Sequence, residues 1–177
     1  MSTDESILRL KISAPGKVIL FGEHSVVHNK PAIAATLGLR TRLNFSETNT
    51  GLILLSFPSV GLKESFPVNS VKEYFRFCSN DSWEDYFKNL LGNFERFHSN
   101  FGGKKLTENQ KTALVTFFHC FSNLPTKCKG FDLSVESDLP VGSGVGSSAS
   151  FSVVLSTASL TYKWVKEKEA FDNFIIR

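Results

Sequence analysis

Three absences bound what this chain can be. No stretch of its 177 residues approaches the roughly 18 consecutive apolar positions of a membrane span, and Met1 to Ser6 is polar and acidic, unlike a signal or transit peptide. No membrane segment is expected, and the cytoplasm is the predicted location. Cysteine is scarce. Cys78, Cys120 and Cys128 form no CxxC pair and are odd in number, which argues against a disulfide framework or a closed zinc site and leaves free thiols, buried or on the surface. Charge of one sign is lacking too: the net charge is +3, and Lys and Arg are scattered, with the densest groups at Lys104 with Lys105 and from Lys163 to Lys168. Without a basic stripe no nucleic-acid partner is expected, whereas a small anionic ligand remains compatible. There is no internal repeat and no low-complexity linker.

The composition, 41% hydrophobic and 21% charged, is that of a globular domain. A chain of this length can bury roughly 70% of its extended surface, so a single domain over residues 1–177 is the reading. Its 17 Phe predict a core filled by aromatic volume, and an exposed aromatic-rich face if a partner domain is missing.

The hydrophobic pattern then divides the chain. Residues 7–12 alternate, Ala14-Pro15-Gly16 interrupts, and Val18 to Phe21 is a second apolar run, which predicts two strands joined by a tight turn. Residues 38–46 and Leu52 to Phe57 are further strands, with a turn at Gly51, so that β-structure fills the first 68 residues. From Ser70 the period lengthens. Val71, Tyr74 and Phe75, then Trp83, Phe87, Leu90, Leu91, Phe94 and Phe97, recur at three and four, as amphipathic helices require. Asn80, Asp81 or Ser82 is the expected N-cap of the longer helix, and Thr107 caps another over 107–122. These helices read as packing elements. Phe131 to Val135 alternates as a strand, Leu139-Pro140 ends it, a Gly/Ser loop spans 142–148, and an apolar helix runs from Ala149 to Trp164, with a further helical segment at 166–177.

The loop Gly142-Ser143-Gly144-Val145-Gly146-Ser147-Ser148 carries chemistry. Its glycines give a main chain with little side-chain obstruction, and the helix after it offers unpaired N–H groups and the positive end of its dipole, a combination that holds phosphate. The hydroxyls of Ser147 and Ser148 can bond a phosphate oxygen or coordinate Mg²⁺. The spacing fits neither GxGxxG, nor a P-loop, nor a nucleophile elbow. A flexible connector is the plain alternative, disfavoured by the long apolar helix that follows.

Lys17 stands at the entrance of the apolar run 18–21, where a fixed cation could face a transferring phosphoryl group or a substrate hydroxyl; a solvated strand-end Lys is the plain alternative. Glu23, His24 and His28 follow. Their order does not match HExxH, so substrate hydrogen bonding or polar packing is expected rather than zinc.

Two stretches resemble the GHMP small-molecule kinases. Lys11 to Ala35, KISAPGKVILFGEHSVVHNKPAIAA, resembles the first signature of the mevalonate kinase branch, and Leu139 to Ser150, LPVGSGVGSSAS, resembles the second GHMP signature. Val145 stands where Leu is commoner, and Ser143 where Ala is. The resemblance implies an α/β (α+β) fold, ribosomal protein S5 domain 2-like, in which 1–177 is the amino-terminal domain, the helix near 166–177 is cut short and the carboxy-terminal domain is absent. It implies ATP-dependent phosphorylation of mevalonate to phosphomevalonate in isoprenoid and sterol precursor biosynthesis. By the same resemblance Lys17 is the catalytic lysine, and Glu23 and His24 lie near mevalonate. Pro140, Gly142, Ser143, Gly144, Val145, Gly146, Ser147 and Ser148 hold ATP, and Ser148 binds Mg²⁺. Complete members are plausible homodimers.

The resemblance also places an acidic Mg²⁺ ligand, a catalytic Asp and a third Gly-rich motif beyond residue 177. Asp172-Asn173 lacks the context of that Asp. The truncated chain is therefore expected to be inactive alone, and the alternative reading is a non-catalytic fragment that binds nucleotide or a partner.

Overall fold

The computed structural model describes residues 7–79, 82–102, 104–140 and 142–175. Four strands come first: β1 (Arg9–Phe21), β2 (Ile33–Glu47), β3 (Leu52–Phe57) and β4 (Leu62–Pro67). Three helices follow, α1 (Val68–Cys78), α2 (Trp83–Ser99) and α3 (Glu108–Cys120), then β5 (Phe131–Ser137) and the long α4 (Ser147–Ile175). Short 3-10 turns lie at Val26–His28 and Pro58–Val60. The five strands form one sheet in the order β1-β2-β5-β3-β4, antiparallel except for the parallel pair β3 and β5. The three-helix excursion thus returns the chain to the middle of the sheet. That insertion brings the segment after β5, which is the Gly/Ser loop, beside β2 and within reach of β1.

Alternation along each strand buries one face. Leu43, Phe45, Ile53, Leu55, Phe57, Phe66, Phe131, Leu133 and Val135 meet the helices, and the opposite face is solvated, as an antiparallel sheet allows. Phe118 of α3 is the hub of the helical layer, with its ring 5.4–5.9 Å from those of Phe66, Tyr74, Phe75, Phe94, Phe97 and Phe117. Ten of the described phenylalanines are buried. The aromatic excess therefore fills the core. The exposed large apolar residues are not aromatic-rich as expected: they include Leu20, Val26, Val27, Ile33 and Leu39 with Phe21, which is 73% exposed, and Val153, Leu160 and Trp164 on α4. The first group belongs to the end of the β1–β2 ribbon, which continues past the last β2–β5 pair, Thr41 with Ser137, and has no third strand among the described residues to support it.

Two sequence expectations change. The residues 14–16 do not end a strand. β1 runs through them as a single strand with a register shift between Pro15 and Lys17. Because β1 is an edge strand, the missing N–H of Pro15 is tolerated, and Gly16 accommodates the irregularity. Likewise the two expected helices after 149 are one, since nothing between Trp164 and Lys166 breaks the ladder, and it starts at Ser147. Thr107 forms the predicted cap as a full capping box with Gln110. Ser82 occupies the N-cap of α2 but makes no side-chain bond there, and Asn80 and Asp81 lie outside the described residues.

The distal part of α4 is fixed to the sheet by a buried ionic cluster. Lys166 Nζ lies 2.9 Å from Glu47 Oε2, the Tyr162 hydroxyl donates to Glu47 Oε1 at 3.3 Å, and the Leu8 amide donates to Glu47 Oε2 at 3.3 Å. Removing one partner leaves an uncompensated charge in the interior, so Glu47→Ala is expected to cost about 3–5 kcal/mol. Urea unfolding of the two proteins measures it, and a loss below about 1 kcal/mol would show that the cluster does not fasten the helix.

Candidate active site

The Gly/Ser loop is built in steps from the end of β5. Asp138 is the first: its amide donates to Arg40 O at 3.0 Å, and its carboxylate accepts from Arg42 Nη1 at 2.8 Å and from the Arg40 amide at 3.4 Å. The hydrogen bond from Arg42 holds this exposed carboxyl below the usual range. Its contribution is therefore present at neutral pH and lost as pH falls through the lowered folded value. Leu139 is buried, and the Ser143 hydroxyl donates to Pro140 O at 2.8 Å, turning the chain. Gly142, Gly144 and Gly146 then take φ of 78°, 73° and 81°, so three left-handed residues alternate with ordinary ones before α4 begins.

What fixes the loop in space is the backbone of Lys17. Its N–H donates to Val145 O at 2.9 Å. A Cβ on Gly146 would sit 2.8 Å from Lys17 Cγ and 3.0 Å from Lys17 N, and one on Gly16 would lie 2.4 Å from the Leu139 side chain and 2.8 Å from Val145 O. Both glycines are thus required by close approach, which is why Ala-Pro-Gly-Lys and Val-Gly-Ser-Ser, more than 100 positions apart, meet. Lys17 is half-buried at this contact, and Ser147 and Ser148 open the helix next to it. The helix amides of that first turn have no carbonyl of their own to pair with. The backbone and side-chain stem of Lys17 thus lie against the start of α4, whose N-terminus carries the positive end of the helix dipole.

Glu23 and His24 are exposed in the turn after β1, and the described contacts do not tie them to the loop. Gly22 shapes that turn: its φ is 89°, and a Cβ there would sit 2.6 Å from Pro31 O. His28 ends a 3-10 turn rather than sharing an α-helical face with His24. Among the described residues no three His, Cys, Asp or Glu side chains are grouped to hold a metal ion.

A cleft of about 130 Å³ continues from Ser147 and Ser148 toward α3, between Asn109, Thr112, Thr116 and Phe151. Apolar spacing alone marks α3 as a packing element and misses this cleft. The signal available is the polar i, i+4 pair Thr112 and Thr116 on the side opposite Leu114 and Phe118. A larger hollow of about 950 Å³ lies on the solvated face of the sheet near Lys11, Asn44, Ser134 and Lys63. It is open, and none of the predicted site residues lines it.

With this geometry in place, the comparisons decide the family. A family model described as the GHMP kinases N terminal domain matches residues 110–172, from α3 through the loop and most of α4. The chain is 35% identical over 173 residues to a mevalonate kinase of Candida albicans, an alignment that takes in 92% of this chain. The chain belongs to the GHMP kinases. A mevalonate kinase of Dictyostelium discoideum is 34% identical over 94% of this GHMP kinase chain. The solved mevalonate kinase of Methanococcus jannaschii shares the fold over 88% of the chain, with a TM-score of 0.55 at 22% identity. The chain spans 39% of the length of these two curated relatives and 40% of the solved one, and corresponds to their amino-terminal portion.

The two kinds of glycine in the loop should separate experimentally. At Gly144 a Cβ would meet open space, so only its φ is at stake, whereas Gly146 has both its φ and the Lys17 contact. Gly144→Ala is expected to cost about 1 kcal/mol and Gly146→Ala about 2 kcal/mol or more. Thermal unfolding distinguishes them; equal losses would mean that the loop is not seated on Lys17.

Proposed function

We propose that residues 1–177 form the ATP-binding amino-terminal domain of a mevalonate kinase, the enzyme that transfers the γ-phosphoryl group of ATP to the hydroxyl of mevalonate to give phosphomevalonate for isoprenoid and sterol precursors. The observation that carries the reading is the seating of the Gly142–Gly146 turn and the α4 N-terminus on Lys17. The identity of 34–35% to relatives that are mevalonate kinases supports the substrate. A cytoplasmic location, and a homodimer for the full-length protein, belong to the same proposal.

In this reading residues 142–148, turned by the Ser143 bond to Pro140 O, bind the phosphates through main-chain N–H groups and the hydroxyl of Ser147, and the nucleoside extends into the cleft by Asn109, Thr112 and Thr116. Lys17 faces the charge that develops on the transferring group or the attacking oxygen. Glu23 and His24, exposed at the ribbon end, orient mevalonate. A Mg²⁺ ion fits Ser148 only with help: a hydroxyl is one of about six oxygen ligands, and phosphate oxygens and water would complete the shell. When bound, that ion neutralises phosphate charge.

Because the chain spans 39% of its relatives, binding without turnover is the activity expected of it alone. Phosphoryl transfer requires two substrates held in line in a dry site, and one wall of a cleft does not supply this. Calorimetry with Mg·ATP on the 177-residue protein tests the binding claim; no heat from a folded sample would remove it. The same preparation should phosphorylate mevalonate far below an ordinary kinase rate of order 1 s⁻¹, and turnover at that rate would show the chain to be sufficient. In a protein of the relatives' length, Lys17→Met should depress kcat more than nucleotide affinity, whereas equal losses would assign Lys17 a purely ground-state role. Ser148→Ala should raise the Mg²⁺ requirement.

A further inference from the structure

Beneath the loop lies a row of hydroxyls that the phosphate reading leaves unused. The Leu139 amide donates to Ser137 Oγ at 3.2 Å, Ser137 Oγ is 2.9 Å from Thr41 Oγ1, Thr41 Oγ1 is 2.7 Å from Ser150 Oγ, and Ser150 Oγ donates to Ser147 O at 2.9 Å. Thr41 and Ser150 are buried, at 0% and 2% exposure. The two ends of the row fix its direction. Ser150 has one hydroxyl proton and spends it on the Ser147 carbonyl, so Thr41 must donate to Ser150. Thr41 then has no proton left for Ser137, and Ser137 must donate to Thr41 while accepting from the Leu139 N–H. The result is a single polarised chain with an amide at one end, a carbonyl at the other and each hydroxyl giving one hydrogen bond.

The chain joins the two ends of the phosphate loop. Leu139 is the last buried residue before the loop and Ser147 the first residue of α4, and Thr41 is the link contributed by a different part of the sheet, opposite Ser137 in the final β2–β5 pair. We infer that Thr41 is the positioning residue of the phosphate-binding loop, clamping its entry and exit through its hydroxyl so that the α4 N-terminus is aimed before any ligand arrives. The inference rests on the nucleotide-binding reading above for its functional consequence, but the clamp itself is a statement about the loop. Aligned hydroxyls in a low-dielectric interior strengthen one another, and a break leaves buried groups unsatisfied on both sides.

The test uses Thr41→Val, which keeps the shape and removes the hydroxyl, and Thr41→Ser, which keeps the hydroxyl. Amide hydrogen exchange of the 177-residue protein is expected to speed up by about tenfold at Leu139 and Ser150 in T41V, with core amides such as that of Phe118 little changed, and to return toward the parent in T41S. Mg·ATP affinity should fall about tenfold in T41V and recover in T41S. If T41V does not fold, Ser137→Ala breaks the same chain one link earlier and carries the same expectation. Unchanged exchange at Leu139 and Ser150, or a T41S protein as perturbed as T41V, would overturn the clamp. If the parent binds no Mg·ATP, the nucleotide reading fails by itself, and the exchange measurement still decides for or against the clamp.

Discussion

A single backbone hydrogen bond, from the Lys17 amide to the Val145 carbonyl at 2.9 Å, joins residues 128 positions apart, and the placement of the Gly/Ser loop depends on that contact. It can form only because neither Gly16 nor Gly146 carries a Cβ, since either would strike the opposite segment at under 3 Å. The bond lies at the register shift of β1, where the strand has room to turn an amide away from β2 and toward the loop. It brings a lysine, a helix N-terminus and a turn of left-handed glycines together at one end of the sheet. None of the three would hold phosphate well alone. In the proposed nucleotide site, together they would supply positive potential, free donors and a backbone already shaped by its left-handed glycines.

The rest of the molecule serves to keep that end of the sheet rigid. β5 is inserted between β2 and β3, so the loop leaves from the middle of the sheet rather than from an edge. The aromatic layer around Phe118 backs the strands, and the Glu47–Lys166 pair anchors α4 well beyond the loop. In contrast, the β1–β2 ribbon beyond Thr41 is exposed, apolar and two-stranded, and it carries Glu23 and His24 at its tip. A ribbon of that kind is marginal in water without a covering surface. The better-supported half is thus where the phosphates are proposed to lie, and the less supported half is where the second substrate is proposed to lie.

Much of this was legible in the sequence because it depends on local rules. The strand alternation in 38–46 and 131–135, the helical periods of 71–75 and 83–97 and the Thr107 cap all follow from side-chain spacing, and the Gly/Ser loop from its composition. The misreading at Ala14-Pro15-Gly16 has a physical cause. Pro and Gly signal a turn when only neighbours in sequence are considered, but here Gly16 is needed for contact with Leu139 and Val145, far along the chain. The roles of Thr41, Ser137 and Ser150 were hidden for the same reason, since single hydroxyls in strands or helices carry no pattern until the fold aligns them. Thr112 and Thr116 gave a weak signal that a strict separation of core and surface overlooked.

The central claim, that the seated loop and Lys17 make a nucleotide site, is tested most directly by titrating the isotope-labelled 177-residue protein with a non-hydrolysable Mg·ATP analogue and following its backbone amides by NMR. The account predicts the largest shifts at Lys17, at 142–149 and along Asn109 to Thr116, with saturation at a single affinity. Shifts confined instead to the solvated sheet face around Lys11, Asn44 and Lys63, or no shifts from a folded sample, would contradict it.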